Sequence, residues 1–271
     1  MLFFPNAKIN IGLNILNRRD DGFHDIETLM IPVGLCDSLE FIKAKEFLFS
    51  SSGIVLDVNS ANNICTKAYE ILKKSYPLTL LSMHLHKAIP TGAGLGGGSA
   101  DAAFLLKNLN NYFNLNISNI ELQNFAKVLG SDCPFFIKNK PSLAFGRGEI
   151  LETFDIDLSN YKIVIVHLGI HVNTAWAYKN SKPDSSRSTL KSILTSQPIA
   201  NWKNTIYNDF ENIIFPLYPE IKELKDKMYN LGAIYASMTG SGSAVFGIFE
   251  ENKIDFTEHF SCFVWQGKTI N

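Results

Sequence analysis

The sequence predicts an α+β protein of two domains, and three observations lead there. The 271 residues suffice for one large domain or two modest ones. Strand-like alternation and helix-like apolar spacing follow one another in mixed order. Strict strand–helix–strand succession, the mark of a doubly wound sheet, is absent from that order. A short polar segment, Asp155 to Asn160, marks the expected boundary between residues 1–154 and 155–271.

The elements follow in order. In NAKINIGLNIL, Ile9, Ile11, Leu13 and Ile15 share one parity and Lys8, Asn10, Gly12 and Asn14 the other. That is a half-buried strand with a polar face. RRDDGFHD is a turn-rich loop, and 26–33 and 38–44 read as further strands. Ile64, Ala68, Ile71 and Leu72 have helical spacing. LSMHLHKA alternates as a strand, with His84 and His86 on one solvent-facing side. SADAAFLLKNLNNYF has a helix pattern. SNIELQNFAKVLG opens on a Ser118–Glu121 capping box and closes on Gly130. SDCPFFI reads as a tight turn into a strand. In the second half, YKIVIVHL is a strand buried on both faces, SKPDSSRS a loop, and 219–231 a helix ending at Gly232. MTGSGSAVFGIF is a glycine turn feeding a strand.

Composition narrows the function. Hydrophobic residues make up 46%, charged residues 19%, and the formal net charge is -1, so no strong electrostatic grip on nucleic acid or an anionic membrane is expected. The apolar run before Pro5 is too short for a secretion signal, and no run approaches the ~20 residues that span a bilayer. Cys36, Cys65, Cys133 and Cys262 form no C-x-x-C pair and read as free thiols in a reducing compartment. A cytoplasmic protein is expected. The histidines, His167 and His171 included, show no zinc-site spacing.

The most informative stretch is PTGAGLGGGSADAA, from Pro90 to Ala103. Gly92, Gly94, Gly96, Gly97 and Gly98 expose backbone N–H groups and allow positive φ. The helix that follows adds its own unpaired N–H groups and positive dipole end. Together they form an anion cradle, and phosphate is its natural guest. Gly92, Gly94 and Gly97 match G-x-G-x-x-G. However, Pro90 intrudes where a strand should lead directly into the turn, and the acidic residue near the right distance, Glu121, belongs to a capping box. No Gly-Lys-Ser/Thr ends the loop, so it is not a P-loop. Asp132 sits in a turn where its carboxylate can project into a cleft as a general base. Bonding of its own backbone in an Asx-turn is the competing reading.

This loop resembles the phosphate loop of the GHMP kinase superfamily, which includes galactokinase, homoserine kinase, mevalonate kinase and phosphomevalonate kinase. AKINIGLNI, DGFHDIETLM, the glycine loop, LGSDCPFFI, GRGE, VNTAWAY, NDFE and TGSGSAVFG then occur in the order found in the diphosphocytidyl-methylerythritol kinase family. The matches run from Ala7 to Gly247. The glycine loop identifies the superfamily, and DGFH with NTAWAY points to the narrower family. The resemblance implies a ribosomal-protein-S5-like N-terminal domain for ATP binding and catalysis, and a ferredoxin-like C-terminal domain contributing to substrate binding. It implies ATP-dependent phosphorylation of the 2-hydroxyl of a cytidine-diphosphate-linked methylerythritol in the non-mevalonate isoprenoid pathway.

The resemblance also assigns roles. Pro90, Gly92, Gly94, Leu95, Gly96, Gly97, Gly98, Ser99 and Ala100 would wrap the ATP phosphates, with Asn63 and Lys87 near the adenine. Asn63 reads equally well as a helix-start residue and Lys87 as a surface lysine. Asp132 and Lys8 would be catalytic, with Asn10 beside the reacting hydroxyl and Asp132 orienting that hydroxyl as much as deprotonating it. Phe23 and Tyr178 would sandwich the cytosine, His24 read its edge and Thr174 orient the substrate, while Gly240 and Gly242 form a second donor turn. Taken alone, Phe23 and Tyr178 read as core aromatics. Phe23 stands where the family often has Tyr, and Asn173 where Ser is more usual. Mg2+ accompanies ATP, with Ser99 its best candidate ligand and helix capping the competing job of that hydroxyl. The residues leave the metal ligand set and the oligomeric state open. Competing functions are a sister kinase for homoserine or another small alcohol, a non-catalytic nucleotide-binding sensor, and a dinucleotide oxidoreductase.

Overall fold

Alternation and helical spacing translate into the following order in the computed structural model, which describes residues 1–56, 62–251 and 254–270. Strands β1 (Leu2–Phe3), β2 (Asn6–Arg18), β3 (His24–Cys36), β4 (Ser38–Lys43) and β5 (Leu48–Gly53) precede helix α1 (Ile64–Lys73). Strand β6 (Leu81–Lys87) leads to α2 (Gly97–Tyr112), α3 (Asn119–Leu129) and α4 (Cys133–Lys138). Strands β7 (Ser142–Phe145), β8 (Ile150–Thr153) and β9 (Tyr161–His167) precede α5 (Thr174–Asn180), α6 (Leu190–Ser196), α7 (Glu211–Ile214) and α8 (Pro219–Asn230). Strands β10 (Tyr235–Met238), β11 (Val245–Glu250) and β12 (Phe263–Gly267) follow.

The chain forms two compact units, each discontinuous in sequence. The first comprises Met1–Ala7, Leu35–Thr91 and Gly96–Lys140, and the second Lys8–Gly34, Gly92–Leu95 and Pro141–Asn271.

In the first unit a sheet of order β1-β4-β6-β5 buries Leu39, Phe41, Leu81, Met83 and Leu85. Phe41 meets Tyr112 of α2 edge-on at 5.2 Å, and Phe47 stacks on Tyr69 of α1 at 4.9 Å. His84 and His86 lie on the opposite parity, hydrogen-bonded to Ser50 and Ser52 across the β5–β6 pairing. Asn63 caps α1, its Oδ1 accepting from Cys65 N at 2.8 Å. Ser118 and Glu121 form the expected capping box on α3.

Two local expectations are corrected here. SDCPFFI does not enter a strand; it becomes α4. Pro134 falls in its first turn, where a fixed φ suits a helix and no N–H is needed. Phe135, Phe136 and Ile137 are all buried, so the short apolar run is a buried helix segment, a case period alone cannot separate from a buried strand. Gly130 ends α3 in extended geometry, at φ 170°, rather than in a left-handed turn.

In the second unit β2, β3, β7 and β8 form one sheet, and β10, β11, β9 and β12 another. The segment 155–160 links β8 to β9. Leu13, Ile15 and Ile26 share a core with Val164, Val166, Phe210, Met228, Met238, Val245 and Phe249. Helix α8 packs on β10 and β11. It stops before Gly232, whose φ of 96° ends it. Strand β2 is not half-buried: Lys8 is 3% and Asn10 2% exposed, because both faces are covered. Among the described residues, no helix is long and apolar enough to cross a membrane.

Candidate active site

In the first unit the site begins where β6 ends. Gly96 stands at the N-cap of α2 in left-handed geometry (φ 71°, ψ 13°) and brings no capping side chain. The Ala100 N–H makes the first intrahelical bond, to the Gly96 carbonyl at 2.9 Å. The N–H groups of Gly97, Gly98 and Ser99 therefore head the open end of a 16-residue helix, the arrangement that attracts phosphate. Helices α1, α3, α5 and α6, by contrast, carry side-chain caps.

The turn bearing Asp132 lies against that first helical turn. Cys133, the next residue, hydrogen-bonds to the Ser99 hydroxyl. A Cβ at Gly130 would make only ordinary contacts, 3.4 Å from Cys133 Sγ and 3.8 Å from Ser99 Oγ. Burial pushes the Cys133 thiol up to about 12, so it is an inert neutral neighbour. Asp132 is half-buried and starts α4 in helical geometry, without capping it. Asn63 is used as the α1 cap. The Lys87 ammonium turns inward, onto Asp37 and Asp101.

In the second unit the polar parity of β2 meets glycine backbone. Lys8 Nζ donates to Asn10 Oδ1 and, at 3.0 Å, to the Gly94 carbonyl. The Lys8 N–H donates to the Leu95 carbonyl at 2.9 Å. The Thr239 hydroxyl lies 3.2 Å from Asn10 Oδ1 and 3.2 Å from the Gly94 carbonyl, and accepts from Asn10 N at 3.0 Å. Asn208 steadies the second glycine turn, donating to the Met238 and Gly240 carbonyls at 2.8 Å each. The φ angles of Gly240 and Gly242 are 55° and 97°. Thr174 Oγ1 and Ser241 Oγ are 2.7 Å apart.

The aromatic group also belongs to the second unit. Phe23 and His24 leave a β2–β3 turn closed by Arg19 N to Phe23 O at 2.8 Å. His24 stacks on Tyr178, with centroids 5.2 Å apart and planes at 23°. Tyr178 leans edge-on against Phe210. Phe23 is 51% exposed, and the Arg147 guanidinium lies 4.4 Å from its ring centroid. Thus His24 stacks on Tyr178, and Arg147 of the GRGE segment covers one face of Phe23. Burial, aided by the Arg18 charge, holds the His24 imidazole below its usual range.

The chain is similar to known proteins in sequence and in fold. Models of the GHMP kinases N terminal domain and of the GHMP kinases C terminal match residues 63–140 and 193–260. The chain is 52% identical over 252 residues to the 4-diphosphocytidyl-2-C-methyl-D-erythritol kinase of Azobacteroides pseudotrichonymphae, covering 93% of this chain and 94% of that one. The chain belongs to this kinase family. The kinase of the same name from Bacteroides fragilis is 46% identical over 271 residues, with 97% and 98% coverage. A crystal structure of a 4-(cytidine 5'-diphospho)-2C-methyl-D-erythritol kinase superimposes with a TM-score of 0.80 at 28% identity, covering 99% of each chain. The Methanococcus jannaschii mevalonate kinase, at 14% identity and a TM-score of 0.73, covers 100% of this chain and 98% of its own. It shows the shared fold alone. The α+β GHMP kinase architecture expected from the sequence is thereby shown.

Sequence reasoning missed Thr239, Asn208 and Arg147, although all three lie in motifs it singled out. It also missed the buried carboxylates that anchor the second unit. Asp209 accepts from Ile15 N at 2.7 Å, and Glu211 accepts from Met238 N at 2.8 Å. A signal was available: in NDFE three polar residues enclose a single aromatic, a poor pattern for a solvated helix face.

Proposed function

We propose that this kinase-family member transfers the γ-phosphoryl group of ATP to the 2-hydroxyl of 4-diphosphocytidyl-2-C-methyl-D-erythritol, in the non-mevalonate route to isoprenoid precursors. The observation that carries the reading is local to the first unit. An uncapped helix end suited to phosphate is held against the turn that bears Asp132. Phosphoryl transfer asks mainly for positioning and charge stabilisation, with a placed carboxylate to receive or direct the hydroxyl proton.

Residues 1–154 carry the ATP-binding and catalytic part in this reading, and residues 155–271 contribute to substrate binding. Pro90, Gly92, Gly94, Leu95, Gly96, Gly97, Gly98, Ser99 and Ala100 form the loop that takes the ATP phosphates. Asp132 accepts the proton of the attacking hydroxyl or orients it. Lys8, held by two oxygen acceptors, stabilises negative charge on that hydroxyl, and Asn10 fixes Lys8. Asn63 and Lys87 lie near the adenine, Asn63 as the cap of α1 and Lys87 paired with Asp37 and Asp101. Gly240 and Gly242 shape a second turn beside a phosphate, the Gly242 N–H closing that turn on the Thr239 carbonyl at 3.1 Å, and Thr174 orients the second substrate. Phe23 offers a ring face to the cytosine, while His24, stacked on Tyr178, reads its edge as a neutral imidazole.

The fit to ATP rests on the left-handed Gly96 and the N–H groups after it. Magnesium neutralises phosphate charge when bound, and takes most of its oxygen ligands from phosphates and water. Ser99 is the hydroxyl available to it at the loop end. Among the described residues, no group of three or more His, Cys, Asp or Glu side chains is placed to hold a metal. The near-neutral charge supports a small-molecule enzyme rather than a nucleic-acid binder, and a cytoplasmic location belongs to the same reading.

ADP release with ATP and magnesium tests the proposal, run in parallel with the cytidine substrate, homoserine and mevalonate. Turnover with the cytidine substrate alone is expected. Turnover with homoserine instead would leave the phosphate loop in place and discard the cytidine assignment.

A further inference from the structure

Strand β6 alternates Leu81, Met83, Leu85 and Lys87 on its inward parity, so a lysine occupies a core position. Lys87 is 2% exposed, Asp37 0% and Asp101 1%. Lys87 Nζ pairs with Asp37 Oδ2 and, at 2.8 Å, with Asp101 Oδ2. The other oxygen of Asp37 accepts from Ala88 N at 2.7 Å and Ile89 N at 2.8 Å, the two residues before Pro90. The other oxygen of Asp101 is buried with no hydrogen-bond partner. Gly97, the first residue of α2, lies directly over the ammonium: a Cβ there would be 2.9 Å from Lys87 Nζ and 2.9 Å from Ile89 Cγ2.

We propose that Asp37, Lys87 and Asp101 form a buried clamp that positions the phosphate-binding end of α2, without touching the nucleotide. The inference rests on the kinase reading above. Asp37 holds the entry to the glycine loop through two backbone N–H groups. Asp101 holds the helix that leaves the loop, and Lys87 joins the two carboxylates. Both ends of the loop are thus tied to one ammonium. Removing one partner of a buried ion pair leaves the other uncompensated, so loss of either tether is expected to loosen the helix end that receives phosphate.

The test uses the whole protein with the variants Lys87→Met and Asp101→Leu. Lys87→Met strands two buried carboxylates and Asp101→Leu cuts the tie to α2; each is expected to raise KM for ATP about tenfold or more, with KM for the cytidine substrate within about twofold. Equal changes in both KM values, or an unchanged KM for ATP, would overturn the clamp. If Lys87→Met does not fold, Asp101→Leu decides alone. Calorimetric titration with ATP alone separates the two proposals. Wild-type protein that binds ATP but does not phosphorylate the cytidine substrate loses the functional reading, while the ATP Kd of the variants, compared with that of the wild type, still decides the clamp.

Discussion

A Cβ at Gly94 would lie 2.0 Å from the carbonyl oxygen of Thr239. The two glycine turns of the second unit therefore meet backbone to backbone, and the φ of 79° at Gly94 adds a second reason for glycine. Gly94→Ala is expected to cost about 3 kcal/mol or more, through positive φ and steric displacement together. Denaturant unfolding checks this; a loss below about 1 kcal/mol would show that the turns separate easily.

Thr239 is more than a spacer. Its hydroxyl shares the Gly94 carbonyl and Asn10 Oδ1 with the Lys8 ammonium. Thr239→Ser keeps that hydroxyl and is expected to retain kcat within about threefold, while Thr239→Val removes it and should lower kcat by about tenfold or more. Steady-state kinetics on the pair decide it, and identical values for Ser and Val would deny the hydroxyl a role.

Asp132 begins α4 without capping it. Asp132→Asn is expected to lower kcat by about 10²–10⁴-fold with small changes in either KM. Single-turnover kinetics separate chemistry from product release. An unchanged chemical step would leave Asp132 a structural residue.

His24 presents a neutral imidazole from a stack on Tyr178. His24→Ala is expected to raise KM for the cytidine substrate by about tenfold and leave KM for ATP unchanged. Matched losses for both substrates would point to collapse of the β2–β3 turn instead.

Acid stability has a specific source in His167. Its Nε2 is buried without a hydrogen-bond partner, and burial lowers its pKa against the opposing pull of the Ile170 backbone. Because the folded value lies below the unfolded one, its stability contribution is present above about pH 6.5 and is lost as pH falls toward the folded value. Melting temperatures recorded from about pH 5 to about pH 8 should fall on the acid side, and less steeply in His167→Gln. Parallel slopes in the two proteins would assign the acid loss to other groups.

Local rules were enough for much of this molecule. The alternation in 6–18, the Ser118–Glu121 box, the helix before Gly232 and the glycine loop with its following helix are all set by neighbours within a few residues. They were legible because periodicity, capping and positive φ act over that range. SDCPFFI was misread because five buried residues in a row carry no period, and only the helices around them choose helix over strand. Tertiary structure alone decided the fate of the polar groups. Lys8 and Asn10 lie on a polar parity that suggests water, yet Thr239 and Gly94, remote in sequence, cover them. Lys87 resembles a surface lysine until Asp37 and Asp101 arrive from distant segments to neutralise it. A buried charge is tolerated only where its partners converge, and that convergence is a property of the fold, not of any window of the chain.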